Sequence, residues 1–155
     1  MWITLDSTRA KQRLSGAEYN ALKSAALNSG QDADTLVTEL LARVTQEVRG
    51  YVAGCKANLL GADGTIPDET EDSALALFVY RFISRLPNMK SLLDERRVKS
   101  YEDALTHLRQ VAACKFGIVP PESGDASTSQ ANPVNMETVR SNTRKVTRDT
   151  MGGLI

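Results

Sequence analysis

With one histidine, two cysteines and a formal net charge of zero, the chain has little with which to do chemistry or attract polyanions. A zinc centre needs several His, Cys or carboxylate ligands at suitable spacing, and His107, Cys55 and Cys114 lie too far apart in sequence to supply them. There is no glycine-rich phosphate loop, nucleophile elbow or HExxH. The turn at Asp63-Gly64 lacks the acidic ladder of a calcium loop. No cofactor, no metal and no enzymatic activity are therefore expected. The balance of 19 basic against 19 acidic residues removes a whole-protein pull on nucleic acid. No apolar run approaches the roughly 20 residues of a membrane span, so no membrane partner is expected. The N-terminus, Met1-Trp2-Ile3-Thr4-Leu5-Asp6, is too short and polar for a signal peptide. The chain is expected to be made and used in a reducing cytoplasm, or in a particle assembled there. Both cysteines sit inside helical patterns and are read as free, partly buried thiols.

What is present is helix after helix over residues 1–118. Asp6 can cap a short first helix reaching Leu14. Ser15-Gly16-Ala17-Glu18 fits a capping box, in which side chain and backbone of the two end residues bond reciprocally. The helix it opens carries Tyr19, Leu22, Ala25 and Ala26 on one side, and Asn28-Ser29-Gly30 stops it. Asp32 or Asp34 caps the next, where apolar residues from Leu36 to Cys55 recur at steps of one, three or four. Gly50 and Gly54 near its end imply a loose terminus or a close-packed neighbour. After the turn at Gly61-Ala62-Asp63-Gly64, Ile66-Pro67 leads into a third long helix. Pro67 is tolerated in a first turn, and Asp68, Glu69, Glu71 and Asp72 complement the helix dipole there. Ala74, Leu75, Leu77, Phe78, Phe82, Ile83 and Leu86 mark it as the central, most buried helix, ending at Pro87-Asn88. The last helix is expected from Ser91 to Phe116, with Tyr101, Ala104, Leu105, Leu108, Val111 and Ala112 buried and Gly117 beyond it. His107 lies beside that stripe as a partly exposed structural residue. The charged stretch with Glu95, Arg96, Arg97 and Lys99 precedes the stripe and reads as a solvated face or an inter-subunit contact. The fold class is all-α, a compact bundle of four to five helices with an extended C-terminal arm.

From Val119 the composition changes. Residues 119–138 are polar and rich in Pro, Ser and Gly, without period, as in a flexible linker. Residues 139–155 form the arm. Val139, Thr143, Val146, Thr147 and Thr150 are β-branched, and Arg144, Val146 and Arg148 share one face of an extended chain. A lone strand is unstable in water, so this segment needs a partner. The 20-residue linker reaches about 60 Å extended, or about 25 Å as a coil. Arg140, Arg144, Lys145 and Arg148 make a small basic cluster. Four phosphate contacts give only weak, salt-sensitive binding, no aromatic is interleaved for stacking, and no helix-turn-helix stands out. Pairing with carboxylates on a protein neighbour is preferred. A small DNA-binding or regulatory module using this tail is the alternative.

Three stretches together resemble the head–tail connector family of tailed phages and prophages, of Mu and lambdoid type. The first is Ile3-Thr4-Leu5-Asp6 running into Arg13-Leu14-Ser15-Gly16-Ala17-Glu18. The second joins Val48-Arg49-Gly50-Tyr51-Val52, Gly64-Thr65-Ile66-Pro67-Asp68, Arg85-Leu86-Pro87, Asp94-Glu95-Arg96-Arg97, Tyr101-Glu102-Asp103-Ala104-Leu105 and Val111-Ala112-Ala113-Cys114-Lys115. The third is Arg144-Lys145-Val146-Thr147-Arg148-Asp149-Thr150-Met151, followed by Gly153. The resemblance implies a helical adaptor that forms a ring, typically of twelve copies, beneath the portal protein of the capsid. Double-stranded DNA passes through the channel without sequence-specific binding, and a tail or stopper protein binds the far side. It places the protein in the virion, at the head–tail junction. It also implies that the arm, with Arg140, Arg144, Val146, Arg148, Asp149 and Met151, grips the portal or the next subunit. A tethered strand on each subunit suits strand addition to a partner's sheet edge, and a ring of such arms makes the grip multivalent.

Overall fold

The computed structural model describes residues 1–122. In chain order these form β1 (Trp2–Thr4), α1 (Ser7–Gln12), α2 (Gly16–Asn28), α3 (Ala33–Gly54), β2 (Thr65–Pro67), α4 (Glu71–Arg85) and α5 (Glu95–Ala112). Single 3-10 stretches, Asp68–Thr70 and Pro87–Leu92, precede α4 and α5. The fold is all-α in class, with one short antiparallel strand pair as its only sheet among the described residues.

Local chemistry sets the helix starts. The Ser15 hydroxyl accepts from the Glu18 backbone N–H at 3.2 Å while the Glu18 carboxylate accepts from the Ser15 N–H at 3.1 Å, which completes the expected capping box. Of the two candidate caps for α3, Asp32 takes the role, accepting from the Thr35 N–H at 2.9 Å. Two helices end in the same way. After α2, the Gly30 and Gln31 N–H groups return to the carbonyls of Leu27 and Ala26. After α5, Cys114 and Lys115 return to Val111 and Gln110. Both are Schellman motifs, which need a left-handed residue. Gly30 has φ +72° and Cys114 has φ +58°.

α4 is the central helix, as expected. It packs against both α3 and α5. Ala74, Leu77, Phe78, Phe82 and Ile83 are wholly buried, in one core with Leu22 of α2, Val37, Val44, Val48 and Val52 of α3, and Leu108 and Val111 of α5. The Phe78 and Phe82 rings stack 5.5 Å apart. No described helix is long and apolar enough to cross a membrane.

Four boundary or pairing expectations need correction. First, Pro67 belongs with Ile66 to β2 and not to the first turn of a helix. β2 pairs with β1 in the register Trp2↔Pro67, Ile3↔Ile66, Thr4↔Thr65, and the Asp68 N–H extends the ladder to the Met1 carbonyl. Second, α5 begins at Glu95, not Ser91. The Asp94 carboxylate accepts from the Arg97 N–H at 2.9 Å and fixes an N-cap there, leaving residues 87–92 as a 3-10 stretch. Third, α5 stops at Ala112 rather than Phe116, because the Schellman motif reverses the chain at Cys114. Fourth, Cys55 and Cys114 are not free thiols but form a disulfide, with Cα atoms 5.2 Å apart. The C-terminal ends of α3 and α5 meet, and small residues bring them close. A Cβ added at Gly54 would lie 3.1 Å from that of Ala112, which answers the question of why a glycine stands so late in α3.

Candidate functional site

The charged stretch at the start of α5 divides into two roles. Glu95, Arg96 and Lys99 are exposed. Arg97 turns inward: its guanidinium donates to Glu18 at 2.6 Å and to the Leu92 carbonyl at 2.8 Å. It therefore ties the start of α5 to the capping box of α2 within one chain. Hydrogen bonding from Arg97, followed by the Ser15 backbone N–H, holds the Glu18 carboxyl below its ordinary value of 4.5. A group whose folded pKa is depressed adds stability that is complete above 4.5 and is lost as pH falls through the lowered folded value. Glu18→Gln is expected to cost about 1 kcal/mol at neutral pH and to make the loss of stability below pH 4.5 shallower. Urea titrations at a series of pH values measure both. Asp32, lowered by the Thr35 hydroxyl and N–H, leaves part of the acid slope in place.

A second cluster gathers where the N-terminus, the turn before α4 and the segment around Val119 meet. Of the four carboxylates expected in one first turn, Glu71 and Asp72 open α4 and Asp68 and Glu69 lie in the 3-10 stretch before it. The structure also gives each a tertiary partner. Asp68 pairs with the N-terminal amine at 3.1 Å, Glu71 with Arg9 at 2.5 Å, and Asp72 with Arg13 at 3.1 Å. Glu69 accepts from the Val119 backbone N–H at 3.1 Å, and its other carboxylate oxygen is buried without a partner among the described residues. On the other side the Trp2 indole donates to the Val119 carbonyl at 3.1 Å. Val119 is thus held through both its backbone groups, beside β1. The Trp2 ring lies flat against Gly61, where a Cβ would come within 2.6 Å of it; only glycine fits there. Phe116, on the way to this corner, packs edge-on against His107 at 4.6 Å. His107 Nδ1 also lies 2.8 Å from the Ser73 hydroxyl, so it serves packing between α4 and α5. Met1, Phe116 and Val119 are exposed apolar residues on the two segments that converge here.

One residue with an organising role was not singled out as such from sequence. Arg49 of α3 is buried, and its guanidinium donates to the carbonyls of Ala62 and Thr65 at 2.8 Å each and of Gly61 at 3.2 Å. It also pairs with the exposed Asp63 at 3.3 Å. It therefore folds the 61–65 turn and sets the position of β2. The available signal was periodicity. Arg49 follows Leu41 and Thr45 at steps of four and precedes Val52 by three, so it falls on the buried face.

A surface groove of about 410 Å³ runs between the N-terminal segment and α3, lined by Leu5, Asp6, Thr38, Leu41, Thr45 and Gln46. Its lining combines aliphatic and hydroxyl-bearing side chains with the Asp6 carboxylate and the Gln46 amide. Among the described residues no three of His, Cys, Asp and Glu come together to hold a metal ion. The predicted arm, with Arg140, Arg144, Val146, Arg148, Asp149 and Met151, lies outside the described residues, as does all of the linker after Glu122. A family model described as Bacteriophage Mu, Gp36 matches residues 8–137. The match begins within α1, takes in the rest of the helical body and nearly all of the linker, and stops before the arm. No curated protein and no solved structure matches the chain at the significance required.

Proposed function

The chain belongs to the Bacteriophage Mu, Gp36 family, and from that membership we propose that it is a head–tail connector. In this reading a ring of copies, typically twelve, sits beneath the portal protein and joins capsid to tail. A tail or stopper protein binds its far side, and DNA passes through the channel without sequence-specific contacts. The protein works at the head–tail junction of the virion after synthesis in the host cytoplasm, and it catalyses no reaction. The observation that carries the reading is the anchoring of Val119 on the helical body. The helical body holds Val119 through Trp2 and Glu69, and 36 residues of sequence follow it (155 less 119). A fixed root suits an arm that must reach a partner in a defined direction. The exposed Glu95, Arg96 and Lys99 offer charges for a neighbouring copy.

Co-sedimentation with isolated portal rings of the same phage tests the proposal. The full-length protein is expected to travel with the portal at a fixed ratio and to give no shift of duplex DNA in a gel at physiological salt. Failure to bind the portal, together with a DNA complex that weakens steeply with salt and is lost in Arg144→Ala/Arg148→Ala, would instead favour a small DNA-binding module.

A further inference from the structure

We propose that Cys55 and Cys114 form a redox latch, a dithiol while the protein is in a reducing cytoplasm and a disulfide once it meets oxidising surroundings. The timing rests on the reading of the chain as a phage assembly component; the chemistry rests on the residues alone. The first argument is backbone conformation. Two helices close with the same Schellman motif, and the left-handed position is Gly30 in one and Cys114 in the other. Cys114 is the one non-glycine residue with positive φ among the described residues. Glycine takes that position without steric cost, whereas a Cβ there meets the neighbouring carbonyl. A cysteine at this place is accounted for by its sulfur. The second argument is position. The partner, Cys55, is the cap residue of α3, and the bond joins the C-terminal ends of two helices that flank α4.

The third argument is access. Cys114 is exposed while Cys55 is 2% exposed, so the two thiols have distinct parts in exchange with a small-molecule disulfide of the glutathione type. The Cys114 thiolate attacks one sulfur of that disulfide and expels one small thiolate. The Cys55 thiolate then attacks the Cys114 sulfur and expels the second. Two electrons pass from the cysteine pair to the small disulfide, and the two protons released by the cysteines end on the two small thiols. The product closes a loop over 59 residues that contains all of α4, which raises stability by restricting the unfolded chain. It also anchors the last turn of α5, two residues before Phe116 and five before Val119, and so stiffens the root of the C-terminal segment.

The test uses the full-length protein. Cells expressing it in a reducing cytoplasm are lysed into an alkylating reagent, and modified cysteines are counted by mass spectrometry. Purified protein is then equilibrated with oxidised glutathione and melted with and without dithiothreitol. The latch predicts two alkylated cysteines at lysis, an intramolecular disulfide after oxidation, and a thermal midpoint about 10 °C higher when oxidised than when reduced. Cys114→Gly keeps the backbone turn and removes the sulfur, so it is expected to fold, to melt at or slightly above the reduced wild type, and to ignore dithiothreitol. A disulfide already complete at lysis would make the bond a permanent staple and overturn the switch. So would a midpoint that does not respond to reductant, or a Cys114→Gly protein that still does.

Discussion

Arg49→Met is expected to lower the free energy of unfolding by about 3 kcal/mol, with little change in the denaturant slope. The guanidinium reaches three backbone carbonyls, and they do not suffer equally. The Ala62 carbonyl keeps the Thr65 hydroxyl and N–H as donors. Those of Gly61 and Thr65 lose the arginine that reaches them. Leaving a buried acceptor unpaired costs about 1–3 kcal/mol, and hydrogen bonds to a charged donor are at the strong end of the range. The ion pair with Asp63 contributes little, since that carboxylate is 95% exposed. Methionine fills the volume of the lost stem and recovers part of the apolar packing. Arg49→Lys retains the charge but not the planar fork, and is expected to fall between wild type and methionine. Because Arg49 positions the 61–65 turn, and that turn positions β2, amides of residues 2–4 and 65–67 are expected to exchange faster in the variant before the helices do. Urea titration gives the first quantity and hydrogen exchange the second.

A chain ending at Glu122 is expected to keep its melting behaviour and to lose attachment to portal rings by at least about a hundredfold. Every tertiary contact described above lies within residues 1–119. Among the described residues the core, with Phe78, Phe82, Leu108 and Val111 wholly buried, is built from residues 5–111. The size of the binding loss follows from multivalency. In a ring, each arm after the first docks at high effective concentration, so weak single contacts become strong together. Removing all arms removes that product. Arg144→Ala/Arg148→Ala in the full-length chain is expected to weaken attachment less than truncation, because strand pairing through the arm's backbone, as proposed, needs neither side chain. Equal attachment of truncated and full-length protein would leave the arm without a role.

The helical body was legible in the sequence where local chemistry and periodicity speak together. Ser15 and Glu18 stand at capping-box spacing and form that box. The apolar steps from Leu36 to Val52 mark α3, and Ala74 to Ile83 mark the helix at the centre. Features set by distant parts of the chain were not legible. Strands of three residues, 60 positions apart, carry no period of their own, so β1 and β2 went unseen. Pro67 suits a helix's first turn by its own chemistry, and only its pairing with Trp2 places it in β2. The start of α5 depended on which of several nearby residues capped it, and the Asp94 carboxylate decided that in favour of Glu95. The disulfide could not be read from spacing, because it follows from α3 and α5 ending at the same place. In retrospect Gly54 beside Cys55, and Ala112 two residues before Cys114, are the small residues such an approach requires. Of the candidate site, the charged start of α5 was visible, but Arg97's inward turn to Glu18 was not, since it spans 79 residues. The pinning of Val119 by Trp2 and Glu69 likewise depends on tertiary placement.

The central claim is that copies of this chain encircle an axis on the portal, each sending its C-terminal segment to a partner outside its own body. Electron microscopy of isolated portal rings, imaged with and without the full-length protein, measures it most directly. The account predicts an added ring of helical bodies, coaxial with the portal and open along the axis. Its density for residues 139–155 is expected to contact the portal or a neighbouring copy. Bodies bound singly or off-axis, or residues 139–155 folded back into the subunit they belong to, would contradict it.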